Sequence, residues 1–357
     1  MGGYPGSEKE RRIPADMLKK IVQSIFQRCG MSAEDAGLLT ETLVVADLRG
    51  VHSHGVMRVP NYVKRLQTGV NPKGRPRVVK DTGAALVVDG GNSMGQIGST
   101  FAMRQVIERA RTTGVAAAAV GGSNHCGAMA YYAMMALPED MIGLATTNAL
   151  PTMAPWGGID RILGINPLSV AIPAGEEIPI VYDAAFSYSA RGKIEVYHQK
   201  GLQIPSTWAF DAEGRPTTDP AKALEGLLQP IGEYKGTSLA LIMGILSAVL
   251  SGASYGTELG DLEKGAKAGQ DGHFFMALKI AAFEDVARFK RRVDGIIRQI
   301  RNGRKAPGFD RIYSPGELEA ETEIKYRKEG IPLNEDTLKG IITAAEQLGV
   351  DASSIRS

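Results

Sequence analysis

The amino-acid sequence predicts an α/β protein with two or three lobes, and three observations lead to this fold class. The chain has 357 residues, which is more than one small domain contains. Residues 84–122 have the pattern of a strand, a helix and a second strand. Between about residues 141 and 230, short apolar runs alternate with prolines and glycines, a pattern typical of strands and turns. We therefore expect a sheet that is antiparallel in part and helices near both ends of the chain.

Three helices are predicted near the start of the chain. The first covers residues 13–30, where apolar side chains recur at helical spacing. The second covers residues 32–50, because Ser32 can cap a helix N-terminus and Gly50 is typical of a helix C-terminus. The third covers residues 59–68. The segment between the second and third helices is therefore a loop.

The strand–helix–strand unit contains glycines that resemble a dinucleotide-binding fingerprint but do not match it. Gly91, Gly95 and Gly98 have the spacing G-x-x-x-G-x-x-G, whereas the fingerprint requires G-x-G-x-x-G. The fingerprint also requires an acidic residue after the second strand, and Gly121 and Gly122 stand there instead. The sequence therefore argues against a Rossmann fold.

The rest of the chain supplies further strands and helices. Strands are predicted at residues 142–148, 169–174, 178–185 and 273–283, and helices after Lys235 and at residues 283–301 and 336–348. The helix after Lys235 contains the uncharged apolar run 237–256, which is about long enough to span a bilayer. Because this run contains serines and glycines and lacks flanking basic anchors, we expect a buried core helix.

Composition and charge indicate an ordinary soluble protein. The hydrophobic fraction is 43% and the charged fraction 22%, as in globular domains. A net charge of +2 gives no sign of a nucleic-acid or membrane partner. Cys29 and Cys126 cannot form a disulfide framework, and residues 1–12 lack the apolar core of a secretion signal. We therefore expect a cytoplasmic protein.

The segment RGVHSHGVMR, residues 49–58, concentrates two of the five histidines of the chain. His52 and His54 with a carboxylate such as Asp183 or Glu195 are one possible metal site, but no ligand spacing selects that set. Acid/base chemistry is a second interpretation, because histidine exchanges protons near neutral pH. Arg58, one helical turn from His54, could bind a carboxylate. A polar loop without function is the third, and the segment alone does not decide between them.

Several motifs, taken in order, resemble those of the malate/L-lactate dehydrogenase family of the second type. This family also includes ureidoglycolate dehydrogenase, 2,3-diketogulonate reductase, sulfolactate dehydrogenase and cyclic imino acid reductases. The resemblance covers the chain from about Ile13 to the C-terminus. It is carried by RGVHSHGVMRVPNY, SNHCG, APWGG, GINPLS, DAAFSYSARGKI, GEYKGTSLALIMGILSAVLSG and GQDGHFF.

The resemblance implies a fold, an activity and partners. The fold would be a three-lobed, non-Rossmann α/β dehydrogenase with a mostly antiparallel sheet in the cofactor-binding domain and with its helical N- and C-terminal segments packed together. The activity would be NAD- or NADP-dependent hydride transfer to or from a small 2-oxo or 2-hydroxy acid, in a cytoplasmic homodimer without a metal. The implied domains are residues 10–75 with 325–357, 76–120 with 285–324, and 121–284 for the cofactor.

The resemblance also implies the catalytic residues. His54 matches the histidine of the R-G-V-x-S-H-G motif, and Ser53 and Arg58 match its neighbours, with Arg58 expected to hold the substrate carboxylate. His125 matches the histidine of S-N-H-x-G. Both His54 and His125 are candidates for proton transfer, and we expect one to move the proton while the other orients the substrate oxygen. For His52 we expect no role.

Cofactor contacts are expected from four segments of the chain. The matching residues are Asn148; Asp183, Ala184, Ala185, Phe186 and Ser187; Lys235 and Gly236; and Pro315, Gly316 and Glu317. Departures from the family pattern at Ile165, Ala184, Ala185, Phe186 and Ser238 cluster around this expected cofactor region.

Two enzyme alternatives and one binding alternative remain at this stage. The first is reduction of a cyclic imine carboxylate, which needs the same acid and the same carboxylate-binding group. The second is a metal-dependent hydrolase built on His52 and His54. The third is a non-catalytic dimeric binding protein on the same scaffold.

Overall fold

A computed structural model describes residues 9–261 and 265–356 and divides them among three hydrophobic cores. We name the three parts the helical lobe, the sheet lobe and the small lobe. The helical lobe contains both ends of the described chain, and the sheet lobe and small lobe lie between them in sequence. This arrangement confirms the predicted three-lobed α/β fold.

The helical lobe brings the two ends of the chain together. Strands β1 and β15 pair antiparallel, with Arg11 opposite Leu333 and Ile13 opposite Ile331. Apolar faces of the surrounding helices pack into one core because their apolar residues recur at helical spacing. The elements are β1 (Arg11–Ile13), α1 (Ala15–Arg28), α2 (Ala33–Leu48), α3 (Val59–Thr68), α10 (Glu317–Glu329), β15 (Ile331–Leu333) and α11 (Glu335–Gln347).

The sheet lobe is built on a mixed seven-stranded sheet with the order β2-β3-β4-β14-β5-β8-β9. Only β3 and β4 pair in parallel within it, and the other neighbours are antiparallel, as the family resemblance implied. The strands are β2 (Arg77–Asp81), β3 (Ala85–Asp89), β4 (Val115–Ser123), β5 (Met141–Thr147), β8 (Leu168–Ile172), β9 (Ile180–Ala184) and β14 (Asp271–Lys279). The helices are α4 (Gly95–Thr113), α5 (Ala130–Met134) and α9 (Val286–Arg301).

This continuous sheet bears on the expected domain boundary between residues 120 and 121. The boundary falls inside β4, and β14 joins β4 to β5 by hydrogen bonds on both of its edges. Strands from both sides of the boundary therefore belong to one sheet, which does not divide there. Backbone pairing between strands distant in sequence left no signal from which this could be predicted.

The small lobe contains short strands and three helices around its own core. Its elements are β6 (Pro151–Met153), β7 (Leu163–Gly164), α6 (Arg191–Gln199), β10 (Ala209–Phe210), α7 (Pro220–Glu225), β11 (Leu227–Leu228), α8 (Tyr234–Ser247), β12 (Gly260–Asp261) and β13 (Gly265–Ala266).

Helix α8 differs from its prediction as a buried core helix. One face of the helix, with Gly236, Ala240, Gly244 and Ser247, is buried. The other face and the turn that follows expose six large apolar side chains by between 41% and 57%: Leu239, Leu241, Ile242, Ile245, Val249 and Leu250. The stretch Tyr234–Ser251 is long and apolar enough to cross a membrane by length and composition. Hydropathy indicated an apolar helix correctly, but not which of its faces the rest of this chain covers.

The glycines that failed the dinucleotide fingerprint have a packing role. Gly95 begins α4 so close to the backbone carbonyl of Asn124 that a Cβ atom there would overlap it. A glycine is needed at such a close approach of two backbones. The contact places Asn124 and His125 against the start of α4.

Candidate active site

The loop between α2 and α3 is anchored by a buried carboxylate. Asp47 lies at the end of α2 and is 1% exposed. Its Oδ1 is 2.7 Å from His52 Nδ1, and its Oδ2 accepts a hydrogen bond from the Val56 backbone N–H at 2.7 Å. Gly55 passes so close that a Cβ atom would overlap the carboxylate. The conformation of the loop therefore depends on one side chain that sequence analysis did not single out.

The two histidines of this loop have different surroundings. His52 bonds to Asp47 and stacks on Tyr326 of the helical lobe, with ring centroids 6.1 Å apart. His54 instead stacks on His125, with centroids 5.7 Å apart and an angle of 14° between the rings. The Nδ1 of His54 is 2.9 Å from Ser53 Oγ. Of the two histidines in this loop, it is therefore His54 that stacks on His125, the other candidate for proton transfer.

His125 follows β4 and is held from the helical lobe. Its Nδ1 is 2.6 Å from the hydroxyl of Tyr62 on α3. The neighbouring Asn124 accepts a hydrogen bond from Arg65 Nη2 at 3.0 Å and donates to the Ser93 carbonyl at 2.8 Å. Side chains of α3 thus bring the S-N-H-C-G segment up to the R-G-V-H-S-H-G segment, as the resemblance implied.

Burial and nearby cations favour neutral histidines at this site. Burial, with a smaller contribution from the positive charge of Arg58, lowers the pKa of His54 to about 4. Burial also lowers the pKa of His125 well below its ordinary value, and His54 and Arg58 add to this effect. Both rings are therefore uncharged at neutral pH in the free protein.

Two cavities meet at this histidine pair. The larger, with a volume of about 380 Å³, runs between the helical lobe and the β9 edge of the sheet, and we name it the long cleft. The smaller, about 250 Å³, lies between His125 and the small lobe, and we name it the inner cavity. Both are lined by His54, Gly127, Ile165 and Pro167. The two cavities are therefore adjacent, and His54 faces both of them.

The chain shares its sequence pattern with a known family across most of its length. The malate/L-lactate dehydrogenase family model matches residues 13–342. A malate dehydrogenase of Pyrococcus abyssi is 38% identical over 95% of this chain and 95% of its own length. An L-sulfolactate dehydrogenase of Methanocaldococcus jannaschii is 37% identical over 93% of this chain and 96% of its own length. The chain belongs to the malate/L-lactate dehydrogenase family.

A solved structure supports the same assignment. The crystal structure of malate dehydrogenase from Entamoeba histolytica superimposes with a TM-score of 0.92 at 34% identity, covering 96% of this chain and 99% of that one. The protein is thus an oxidoreductase of small 2-hydroxy acids, and its family membership implies a nicotinamide cofactor.

The shape and polarity of the two cavities suit such a cofactor beside a small acid. Their volumes fall in the range of ligand pockets. Small residues line much of the long cleft, among them Gly127, Ala128, Ala184 and Ala185. In the inner cavity, Thr152 Oγ1 is buried without a hydrogen-bond partner among the described residues, so it can bond to a ligand.

The structure brings some of the predicted site residues to the cavities and leaves others away from them. The predicted residues that line the long cleft are Ser53, His54, Asp183, Ala184, Ala185, Pro315 and Gly316. Those that line the inner cavity are His54, His125 and Asn148. The predicted residues that line neither cavity are Arg58, Phe186, Ser187, Lys235, Gly236 and Glu317.

Three of the predicted residues that line neither cavity make packing or hydrogen-bond contacts within the protein instead. Phe186 is buried in the core of the small lobe. The Ser187 hydroxyl donates to the Ser189 carbonyl. Glu317 accepts a hydrogen bond from the Ser314 backbone and is paired with Arg311.

The Lys–Gly pair that was expected to contact the cofactor lies at the start of α8. Lys235 is exposed in the first turn of this helix. Gly236 is buried against the backbone carbonyls of Ile231 and Phe186, where a Cβ atom would not fit. Gly236 therefore has a packing reason to be glycine.

Arg58 does not line the inner cavity, but two other arginines do. The Nε of Arg58 donates to the Ser53 carbonyl at 2.6 Å. Arg65 and Arg191 line the inner cavity together with His54 and His125. Sequence analysis missed Arg65, which lies on α3 seven residues after Arg58, the residue that precedes this helix. It also missed Arg191, at the start of α6.

Asp271 is a second residue of the inner cavity that sequence analysis missed. It is 5% exposed, and its Oδ2 has no hydrogen bond within the described chain, although Arg65 Nη2 is 3.8 Å away. Burial raises the pKa of Asp271 to about 7, and Arg65 opposes this rise. The carboxyl group can therefore be protonated near neutral pH.

The described residues contain no ligand set for the metal-dependent hydrolase considered above. Among residues 9–261 and 265–356, no group of three or more His, Cys, Asp or Glu side chains is arranged to hold a metal ion. The rings of His52 and His54 also have different neighbours, as described above.

Proposed function

We propose that the substrate is a 2-oxo or 2-hydroxy acid with a second anionic group, as in oxaloacetate and malate or in sulfolactate. The observation that carries this proposal is that Arg65 and Arg191 line the same small cavity as His54 and His125. One guanidinium can hold the carboxylate next to the reacting carbon, and the other can hold the distal acid group. Acids without the second group would leave one of these two guanidinium groups without an anionic ligand in the cavity.

The chain's own residues would orient the substrate and exchange one proton with it. The bound nicotinamide would supply the hydride to C2 or accept it from there. A histidine of the pair exchanges the proton with the C2 oxygen, and the other donates a hydrogen bond to that oxygen. Arg65 fixes the carboxylate, so that the C2 oxygen stays beside the two rings.

We propose NAD rather than NADP as the cofactor. Two acidic residues, Asp183 and Glu319, line the long cleft, and Asp183 Oδ2 accepts a hydrogen bond from the Ala130 backbone N–H at 2.7 Å. Packing in the cleft raises the pKa of Asp183 to about 6, so this group is still mostly ionised at pH 7. Among the described residues, Arg49 is the one arginine that lines the cleft, and its Nη1 is 3.3 Å from Glu323 Oε2. Carboxylates suit a ribose hydroxyl and repel a 2′-phosphate.

The test is a steady-state assay of the oxidation or formation of reduced nicotinamide by its absorbance. NADH and NADPH are each tried with pyruvate, oxaloacetate, sulfopyruvate and a cyclic imine carboxylate. We expect NADH with a dianionic acid to give the highest kcat/KM. Equal turnover of pyruvate and oxaloacetate would contradict the second anion site, and turnover of the imine alone would place the protein among imino acid reductases.

Variants of two arginines sharpen this assay. Arg65→Ala is expected to raise KM for the dianionic acid by ten-fold or more, because a charge-assisted hydrogen bond contributes about 1.5–3 kcal/mol. Arg58→Ala tests the role implied by the family resemblance. If Arg58→Ala raises KM and Arg65→Ala does not, then Arg58 holds the substrate.

We also propose that a second copy of the chain covers the exposed face of α8. The six apolar side chains on this face and on the following turn form a surface larger than single exposed residues produce. Such surfaces usually mark an interface, and homodimers with two-fold symmetry are the commonest oligomers. Family resemblance favours the same partner.

Light scattering after size-exclusion chromatography tests the dimer. Ile245→Glu is expected to give a monomer. The matched control is Ile324→Glu, which changes an apolar residue on α10 that is even more exposed than Ile245 (69% against 44%) and should leave a dimer. A wild-type monomer would overturn the proposal, and sedimentation of that monomer with phospholipid vesicles would assign the face to a membrane instead.

A cytoplasmic location is the last part of the proposed function. Cys29 and Cys126 are both free thiols in the structure. Free thiols together with a pyridine-nucleotide cofactor are typical of a reducing compartment. Cell fractionation with a tagged chain tests this location, and recovery of the chain outside the cytoplasm would contradict it.

A further inference from the structure

Gln96, Tyr62 and His125 form a chain of hydrogen bonds behind the inner cavity. Gln96, near the start of α4, is fully buried and donates from Nε2 to the Tyr62 hydroxyl at 3.1 Å. The same hydroxyl is 2.6 Å from His125 Nδ1. Tyr62 is itself 1% exposed, so water does not compete for these bonds. The chain ends on the ring that lines the cavity.

The direction of the protons along this chain follows from the chemistry of its members. An amide N–H can only donate, so the Tyr62 oxygen accepts from Gln96. Among the described residues, His125 Nδ1 is the one acceptor within hydrogen-bond distance of the Tyr62 hydroxyl, so the single hydroxyl proton is directed at it. A neutral histidine whose Nδ1 accepts a hydrogen bond carries its own proton on Nε2. His125 therefore presents an N–H donor to a ligand.

The two possible orientations of the Gln96 amide differ in which buried atom they leave without a hydrogen bond. In the orientation described, only Oε1 is buried without a partner among the described residues. Reversing the amide would put both N–H donors at that position. Unpaired buried donors are rarer in proteins than carbonyl oxygens without a full set of partners. Gln96 therefore acts as the donor to Tyr62.

His54 has no comparable constraint. Its Nδ1 is bonded to the Ser53 hydroxyl, which can donate or accept. The Ser53 hydroxyl can rotate when His54 gains or loses a proton, and both forms of the ring keep their partner. His54 can therefore change its protonation state and keep its hydrogen-bond partner at Nδ1, whereas protonation of His125 at Nδ1 would break its bond from Tyr62.

We propose that Gln96, acting through Tyr62, is a positioning residue that holds His125 as the Nε2–H tautomer, so that His125 donates a hydrogen bond to the substrate C2 oxygen while His54 exchanges the proton. This inference rests on the proposed function. In the reduction, C2 receives the hydride, the electron pair of the C–O double bond moves to oxygen, and that oxygen takes the proton from protonated His54. In the oxidation, the hydroxyl proton passes to neutral His54 and the hydride leaves C2.

Nitrogen NMR of the whole protein, labelled with ¹⁵N-histidine, tests the tautomer directly. Protonated and unprotonated ring nitrogens differ widely in chemical shift, and loss of one signal set in His125→Gln assigns His125. We expect Nε2 to be protonated and Nδ1 unprotonated in the wild type, and a mixture of tautomers in Tyr62→Phe. A proton on Nδ1 of His125 in the wild type would overturn the inference.

Kinetics test the consequence for the reaction. Gln96→Leu and Tyr62→Phe are expected to lower kcat about ten-fold with little change in KM, because each removes a buried hydrogen bond that orients the ring. Gln105→Leu, on the same helix and outside the site, is the matched control and should behave as the wild type. Unchanged kcat in both test variants would contradict the proposal.

Rescue by a conservative change separates hydrogen-bond donation from proton transfer. His125→Gln keeps an N–H donor and should retain at least ten times the kcat of His125→Leu. Equal loss in these two variants would mean that His125 carries the proton. If no acid is turned over at all, the proposed function fails while the NMR result still decides the tautomer.

Discussion

His54 and His125 stack on each other at the junction of the two cavities, but the protein holds them in different ways. His125 is fixed through its own ring, because Nδ1 bonds to a buried tyrosine that is in turn bonded to a buried glutamine. His54 is fixed through its backbone, because the loop that carries it is anchored on Asp47 by way of His52 and Val56. Its ring meets only the rotatable hydroxyl of Ser53 among the described side chains that hydrogen-bond to it.

This difference shows how two histidines of one site can have separate tasks. A ring whose Nδ1 is held by a buried hydroxyl has a fixed tautomer, which suits a hydrogen-bond donor that must not change. A ring on a firmly placed backbone with an adaptable partner can gain and lose a proton without moving. The predictions below disturb one side of this comparison at a time.

Replacing the proton-exchanging ring is expected to have the largest effect. His54→Gln keeps a polar side chain of similar length but cannot exchange a proton, so kcat should fall by about 10²- to 10⁴-fold. The measurement is kcat for the acid identified in the assay above, with circular dichroism to verify folding. Activity within a few-fold of wild type would show that His54 is not the residue that exchanges the proton.

Removing the loop anchor should have the next largest effect, and it should act on stability as well as on rate. Asp47→Ala leaves the Val56 N–H without its buried acceptor and His52 without its carboxylate. We expect the free energy of unfolding to fall by about 2–4 kcal/mol. Urea denaturation measures this, with Asp16→Ala on the exposed side of α1 as the control. An unchanged unfolding midpoint would show that the loop does not depend on Asp47.

Local sequence patterns predicted much of the fold and the family motifs predicted its class. Helical periodicity and caps located α2, α3 and α11 to within about two residues of their observed ends. The order of the strands could not be predicted this way, because β14 lies between β4 and β5 although it follows both in sequence. Such pairings depend on contacts between distant segments, which leave no periodicity.

Candidate site residues were predictable where they belonged to a compact motif. His54 and His125 each lie in a short polar segment between regular elements, and the structure brings these segments together. Gln96 and Asp271 were not predicted, although Asp271 belongs to the GQDGHFF motif, because nothing in the local sequence around either residue connects it with His54 or His125. Their importance comes from burial beside another segment, and burial is a property of the folded chain. His52 was expected to have no role, yet it is part of the loop anchor.

The pH dependence of the oxidation tests the surroundings of His54. Burial and Arg58 lower its pKa to about 4, and the neutral form accepts the hydroxyl proton. Activity should therefore persist on acidification and be lost only as the pH falls through about 4. Between pH 7 and pH 5, kcat/KM should drop by about a tenth, whereas a histidine with its ordinary pKa would give a drop of about 25-fold. Arg58→Gln removes a positive charge and should move this acidic limb to higher pH. An acidic limb near pH 6.5 in the wild type would contradict the low pKa.

Replacing the adaptable partner of His54 should have the smallest effect of the series. Ser53→Ala removes the hydrogen bond to Nδ1, and because Ser53 is partly exposed at the cavity, water can take its place. A neutral hydrogen bond contributes about 0.5–1.5 kcal/mol, so kcat/KM should fall by about two- to ten-fold. The loss should be smaller than in Tyr62→Phe, since Tyr62 is buried and water cannot replace its hydroxyl. A loss in Ser53→Ala as large as in His54→Gln would mean that the serine hydroxyl itself passes the proton, and His54 would then be one member of a longer relay.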